Sequence, residues 1–155
     1  MGGKDKFSIL ERRAIMARVR SSNTTPERIV RSTLHKLGYR YRLHARELAG
    51  RPDLVFPSRR VALFIHGCFW HRHIGCRKGA AMPVARREYW TAKFARTVAR
   101  DRANTFALEE NGWTVIVVWE CHLKNTEWVL NVQKILDATL LQAPHKFRVK
   151  MDRAL

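Results

Sequence analysis

The chain has 155 residues, which suits one ordinary domain and leaves little room for a second. Lys and Arg number 30 against 13 Asp and Glu, a formal charge of +17, while 46% of the residues are hydrophobic. A sizeable core can therefore still be buried, and a disordered basic tail is excluded as a description of the whole.

No run approaches the roughly 18 apolar residues of a membrane span. The start, MGGKDKFSILERR, lacks the apolar run and cleavage site of a secretory signal. Three cysteines are too few, and odd in number, for a disulfide framework. These features predict a protein of the reducing cytoplasm with thiols or metal-bound cysteines and no transmembrane helix.

The first 22 residues are basic and weakly periodic, with Ile9, Ile15, Met16 and Val19 as apolar positions. They are expected to be a DNA-contacting segment. Thr24-Thr25-Pro26-Glu27 reads as a helix start, with a Thr N-cap, Pro in the first turn and Glu27 near the positive end of the dipole. Ile29, Val30, Leu34 and Leu37 give that helix an apolar face, and Gly38 ends it. Three short strands are predicted at Tyr39–Leu43, Asp53–Phe56 and Val61–Ile65, the last two joined by a hairpin-like turn at Pro57-Ser58-Arg59-Arg60.

Residues 66–83 are rich in Gly, His and Cys, lack periodicity and read as a loop. Ala85 to Asn111 reads as a long helix with Trp90, Phe94 and Val98 on one stripe, closed by Gly112. Trp113–Trp119 is near-continuously apolar, the pattern of a strand buried on both faces. Trp128, Val129, Val132, Ile135, Leu136 and Leu140 mark a last helix, followed by a basic tail at 144–155. The order is α-β-β-β-α-β-α. Strands 61–65 and 113–119 should be parallel, joined by a right-handed crossover, with helices on both faces of the sheet.

A folded domain this basic repels itself unless something acidic offsets the charge, and nucleic acid is the usual partner. A membrane-surface role fits less well, because the aromatics cluster near His and Cys instead of lining one basic helix.

Cys68, His71, His73 and Cys76 fall close together, and the crossover should bring Cys121 to the same edge of the sheet. Thiolate and imidazole are zinc's preferred ligands, and four of them close a tetrahedral site. Spacing leaves His71 and His73 both open as the fourth ligand. His73-x-x-Cys76 is the more compact pairing and would free His71 for other work.

Acidic residues are scarce, so their positions carry information. Asp53 opens a strand at Gly50-Arg51-Pro52-Asp53, where a carboxylate can hold a divalent cation against a phosphate. Glu27 suits a supporting role or a dipole-stabilising one. His66 and His71 lie just past the next strand, where neutral imidazoles can move protons. Asp101, between Arg100 and Arg102, reads as a helix-surface ion pair.

At Gly67-Cys68-Phe69-Trp70-His71, directly after a strand, the sequence resembles the very-short-patch repair (Vsr) DNA mismatch endonucleases. The likeness runs through Arg13-Ala14-Ile15-Met16, Asn23-Thr24-Thr25-Pro26-Glu27 and Leu37-Gly38-Tyr39-Arg40-Tyr41-Arg42. It continues through Gly50-Arg51-Pro52-Asp53-Leu54-Val55-Phe56, Phe64-Ile65-His66, Tyr89-Trp90, Arg100-Asp101-Arg102 and Gly112-Trp113 to Val118-Trp119-Glu120-Cys121. About residues 8–125 are covered, in order.

The resemblance implies an α/β restriction-endonuclease-like core, a mixed central sheet flanked by helices. It implies a magnesium-dependent nuclease that nicks DNA 5′ to the thymine of a T·G mismatch arising from 5-methylcytosine deamination. Asp53 and the Ile65 main chain would hold Mg²⁺. His71 would be the general base, with His66 and Glu27 in support. Cys68, His73, Cys76 and Cys121 would hold a structural Zn²⁺. Phe69, Trp70 and Trp90 would wedge into the duplex, where a poorly stacked G·T pair lowers the cost.

The sequence departs from the family in places. Phe64-Ile65-His66 stands where nucleases of this fold carry a carboxylate-x-lysine pair, Thr97 stands where Asn is expected, and the tail has no counterpart.

The resulting division is a basic segment at 1–22, a zinc-containing nuclease domain at 23–143 and a tail at 144–155. Double-stranded DNA with a T·G mismatch is the expected partner, and a mismatch-repair protein is a candidate recruiter. The competing readings are a non-catalytic zinc DNA-binding module and a related nicking nuclease of different specificity.

Overall fold

A computed structural model describes residues 22–142 together with Ser8, Leu10, Glu11 and Ala14. Apart from those few positions, the expectations for segment 1–22 and tail 144–155 lie outside the described residues.

Helix α1 spans Thr25–Lys36. Thr24 is its N-cap, accepting from the Glu27 amide, and Gly38 leaves the helix at φ +91, a left-handed conformation that suits glycine. The apolar stripe is narrower than the sequence suggests. Val30 and Leu34 are buried, whereas Ile29 and Leu37 are 41% and 46% exposed.

The strand expected over Tyr39–Leu43 shrinks to Arg42–Leu43 (β1). The Tyr39 amide is used in closing α1, donating to Leu34 O at 3.0 Å. Its ring and that of Tyr41 stand edge-on to Phe56, and the two hydroxyls bond Asp137 and the Arg31 carbonyl. These residues serve the core as side chains, not as ladder.

Strand β2 is Leu54–Phe56 and β3 is Val61–His66. The connection between them is a turn of 3₁₀ helix at Pro57–Arg59, with Arg60 left-handed at φ 50. Within the loop 66–83 lies one short helix, α2, at Arg77–Ala80. Helix α3 spans Arg87–Glu110, and β4 spans Thr114–Trp119. Helix α4 spans Glu127–Gln142.

The sheet order is β1-β2-β3-β4, antiparallel for the first two pairings and parallel for β3 with β4, as the crossover argument requires. One face carries α1 and α4, where Val30, Leu34, Trp128, Val132 and Leu136 pack on Leu54, Leu63, Ile116 and Val118. The other carries α3, whose Leu108 packs on Ala62 and Phe64. This is the restriction-endonuclease-like α/β arrangement.

One burial expectation needs correction. β4 is an edge strand, so Ile116 and Val118 are buried while Val115 and Val117 are half-buried. The strands buried on both faces are the short β2 and β3 from Val61 to Phe64. Among the described residues no helix is long and apolar enough to cross a membrane.

Candidate active site and metal cluster

Register places the site. β3 and β4 run parallel with His66 opposite Trp119. Cys68 and Cys121 each lie two residues past that rung, so the sheet delivers both thiols to one end. The chain after β3 is wound tightly, with the His71 amide donating to Gly67 O (3.1 Å) and that of His73 to Cys68 O (3.0 Å). Arg72, between the two histidines, is left-handed at φ 55. His71 and His73 consequently go to different clusters.

The first cluster is Cys68, His73, Cys76 and Cys121, whose ligand atoms all lie within 4.8 Å of one another. His73 Nδ1 is 3.6 Å from Cys68 Sγ and 3.2 Å from Cys121 Sγ. Its ring lies flat on Trp119, with centroids 4.2 Å apart. Helix α2 presses on the same turn, and a Cβ at Gly79 would run into the main chain of His73. Burial pushes the Cys68 thiol up to about 12, whereas backbone donation from Gly79 holds Cys76 below its ordinary value. Three converging thiols and an imidazole with no internal countercharge are a set that a soft dication satisfies, by drawing off the protons.

The second cluster is His66, His71 and Asp101. His71 Nδ1 and Asp101 Oδ2 are 2.5 Å apart, and the His66 and His71 rings stack in parallel at 3.8 Å. Asp101 is therefore not the helix-surface pair suggested by its Arg neighbours. Arg100 does approach it at 3.8 Å, but its short bond is to His71 and its side chain is only 20% exposed. Desolvation, aided by the neighbouring His71, brings His66 down to about 4, so its imidazole is neutral at pH 7.

Asp53 meets this cluster from β2. The antiparallel pairing of Leu54 with Leu63 sets it beside the last turn of β3, where its Oδ2 accepts from the Ile65 amide at 2.7 Å. Desolvation pushes its carboxyl up to about 6, against the pull of the Ile65 bond. Glu27 is 6% exposed and accepts from the Asn23 amide (2.8 Å) and the Thr24 hydroxyl (2.9 Å).

Asp53, Glu27, His66 and His71 all line one open cleft of about 1430 Å³, rimmed by Arg46, Arg51, Lys93 and Arg100. Carboxylates and imidazoles inside a basic rim suit a phosphodiester held by its charge.

Trp70 lines the cleft, and Phe69, which does not, stands edge-on to it at 5.0 Å. Trp90 is 7% exposed and Phe94 4% exposed, and both pack under Phe69 (5.8 and 5.1 Å). Trp90 is thus buried, while Phe69 and Trp70 are half-buried. Lys93 lies over Trp70, Trp90 and Tyr89 at 5.3, 5.2 and 5.8 Å. Arg72 caps Phe94 at 4.3 Å and donates to Ala81 O, tying the aromatic group to the loop. The Thr97 hydroxyl is turned back onto its own helix, donating to Lys93 O at 3.1 Å.

Sequence reasoning passed over Lys93, Arg72 and the true partner of Asp101. The recoverable signal was helical: Lys93, Thr97, Arg100, Asp101 and Asn104 share the face of α3 that lines the cleft.

A mixed sheet with a carboxylate at the β2–β3 end, one histidine closing β3 and a second just beyond it places the protein in the restriction-endonuclease-like class. The family described as DNA mismatch endonuclease Vsr matches residues 4–78. The type II nicking enzyme V.XorIIP of Xanthomonas oryzae pv. oryzae is 53% identical over 121 residues, 78% of this chain and 88% of that one. The type II nicking enzyme V.NmeAIP of Neisseria meningitidis is 40% identical over 121 residues, 78% and 85% of the two chains. The DNA mismatch endonuclease Vsr of Escherichia coli is 38% identical over 112 residues, 72% and 70%. The chain belongs to the Vsr family, whose named members here are DNA endonucleases.

Proposed function

We propose that the protein is a magnesium-dependent endonuclease that nicks one strand of duplex DNA 5′ to the thymine of a T·G mismatch, in repair of deaminated 5-methylcytosine. The observation that carries the chemistry is the Asp53 carboxylate beside Ile65, in one cleft with the paired His71 and Asp101. The nicking and mismatch elements come from relatives named for those activities.

His71 donates a hydrogen bond from Nδ1–H to the Asp101 carboxylate, which leaves Nε2 as the lone-pair acceptor. It takes the proton of the attacking water as the new P–O bond forms and the P–O bond to the departing sugar oxygen breaks, that oxygen taking a proton from solvent. Asp101 holds the tautomer and stabilises the imidazolium. Neutral His66, stacked on the ring, limits its tilt without adding a competing charge. Glu27, fixed by Thr24 and Asn23, adds a second carboxylate to the wall.

Asp53 and the Ile65 carbonyl are the oxygen donors that would hold Mg²⁺, which supplies neutralisation of phosphate charge when bound. One carboxylate and one carbonyl suit an ion that keeps several waters. Cys68, His73, Cys76 and Cys121 would hold a structural Zn²⁺, a donor set that fits tetrahedral zinc. Phe69 and Trp70 would enter the duplex at the mismatch, with Trp90 beneath them. The domain division, monomeric state, cytoplasmic setting and recruitment by a mismatch-repair protein complete the proposal.

A second reading keeps the chemistry and changes the specificity, as in a nicking nuclease that does not require the mismatch. It is favoured by Thr97, whose hydroxyl is engaged with its own helix. A non-catalytic DNA-binding module leaves the His71–Asp101 pair and Asp53 without a purpose. The test is strand cleavage of end-labelled T·G and matched duplexes with Mg²⁺ across flanking sequences. Preferential nicking of T·G is expected; equal cleavage of both duplexes would transfer the proposal to the second reading, and no cleavage would end it.

A further inference from the structure

His66, His71 and Asp101 sit half-buried on the wall of the cleft, each offering a ligand atom within 4.8 Å of the others. They come from three places: the end of β3, the tight loop after it and the middle of α3. The stacking of the two rings at 3.8 Å and the short His71–Asp101 bond hold the three groups beside one another. Zinc–nitrogen bonds of about 2.0–2.1 Å at a tetrahedral angle set ligand nitrogens roughly 3.3 Å apart. The in-plane lone pairs of two stacked rings do not converge, so one ring must turn out of the stack to bind, and His71 and Asp101 must part from 2.5 Å towards that spacing.

Two imidazoles and one carboxylate, open to solvent on the remaining side, form a set for a borderline-soft ion and a poor one for Mg²⁺. Asp53 with the Ile65 main chain is the harder, all-oxygen set. The same cleft therefore offers two sites that sort ions by softness. Arg100, 3.8 Å from Asp101, opposes a dication. Affinity should accordingly fall well below that of the cysteine cluster, which makes occupation reversible.

We propose that His66, His71 and Asp101 form a second, reversible transition-metal site, and that Zn²⁺ bound there inhibits the enzyme by occupying the imidazole that would accept the proton of water. The inhibition rests on the nuclease reading above; the binding does not.

The experiment uses the full chain carrying its first, tightly held zinc, in saturating Mg²⁺. Free Zn²⁺ is varied, bound zinc is measured by equilibrium dialysis, and nicking is measured in parallel. A second, weaker equivalent is expected, with the nicking rate falling in step with its occupancy and returning on removal of free zinc. His66→Gln and Asp101→Asn should each weaken the second equivalent by at least ~10-fold, since even indirect supports of a metal site are worth that much. Retention of the first zinc shows that a variant is folded, and either variant alone decides. Exposed His35 supplies the control, and His35→Gln should leave both equivalents unchanged.

Uptake of one zinc only, a second equivalent unaltered in both variants, or one lost in His35→Gln would overturn the site. A second equivalent that behaves as expected in a protein that nicks no duplex would uphold the site and overturn the nuclease reading.

Discussion

The two side-chain clusters beyond β3 are built from one stretch of chain, yet their chemistry differs. Positions 66 and 71 go to the cleft, while 68, 73 and 76 go to the cysteine cluster. One is a closed set of soft donors. The other is half-open, with a carboxylate–imidazole pair and a neighbouring oxygen site. Trp119 stands between them, flat on His73 and edge-on to His66 at 5.3 Å. Interleaving of this kind teaches that dependence should run one way. The cysteine cluster holds the loop that carries His71, whereas none of the cleft histidines or carboxylates is a member of the cysteine cluster.

The largest effect should come from the cleft side. Asp53→Asn is expected to lower nicking by more than ~10³-fold through loss of a metal ligand, while zinc content and duplex affinity persist. Stability should move the other way. The Asp53 carboxyl is raised from 3.8 to about 6 in the folded protein. The neutral form is therefore favoured by folding; that contribution is fully present below 3.8 and is lost as pH rises through about 6. In Mg²⁺-free buffer at pH 8, Asp53→Asn should stabilise the protein by roughly 1–3 kcal/mol, with no gain at pH 3.5. Thermal melts at the two pH values check this, and a lower melting temperature at pH 8 would refute the burial argument.

Asp101→Asn should cost next most, on the order of 10²–10⁴-fold in the single-turnover rate, because Asn can hold His71 in the wrong tautomer. Zinc content and T·G affinity should not move. A rate within a few-fold of the unaltered protein would make Asp101 a surface residue after all.

From the other side, Cys121→Ser should break both clusters. The predicted result is loss of the bound zinc and a melting temperature lower by about 10 °C or more, since structural zinc contributes directly to folding free energy. Nicking should fall as well, although Cys121 lies outside the cleft. Zinc lost with nicking intact would show that the two clusters are independent.

Much of this was legible in the sequence, and the failures have identifiable causes. The α-β-β-β-α-β-α order, the parallel pairing and the convergence of Cys121 on Cys68 follow from periodicity and crossover geometry. The choice between His71 and His73 did not, because it turns on Arg72 at φ 55. Glycine would have announced such a bend; an arginine there gives no signal. Asp101 was misread because its neighbours in sequence are arginines, whereas its nearest bonding partner in space is 30 positions away. The tyrosines at 39 and 41 alternate like a strand, yet a helix cap and the rings on Phe56 claim them. For β4, apolarity alone could not separate an edge strand from the central one.

The smallest of the effects concerns where the loop meets DNA. Trp70 lies two residues past Cys68, and Gly67 packs close to its indole, so the cysteine cluster holds the base of this side chain still. A stiff loop loses little entropy on insertion. Stacking on an aromatic is worth about 1–3 kcal/mol per base, and opening a step costs a few kcal/mol, least at a mismatch. The sum favours insertion only where the duplex is already weak, so the indole should contribute discrimination and little general affinity. Phosphate contacts from the basic rim are indifferent to the mismatch and supply the remainder. Trp70→Ala should narrow the ratio of T·G to matched-duplex affinity by roughly 5- to 100-fold at constant salt, with matched-duplex affinity nearly unchanged. Trp90→Ala should behave differently. Its ring is buried beneath Phe69 and Trp70, so its loss should lower the melting temperature as well as the ratio. Paired titrations and melts of the two variants separate the roles. If Trp70→Ala leaves the ratio untouched while destabilising the fold, Trp70 is a packing residue like Trp90 and discrimination lies elsewhere.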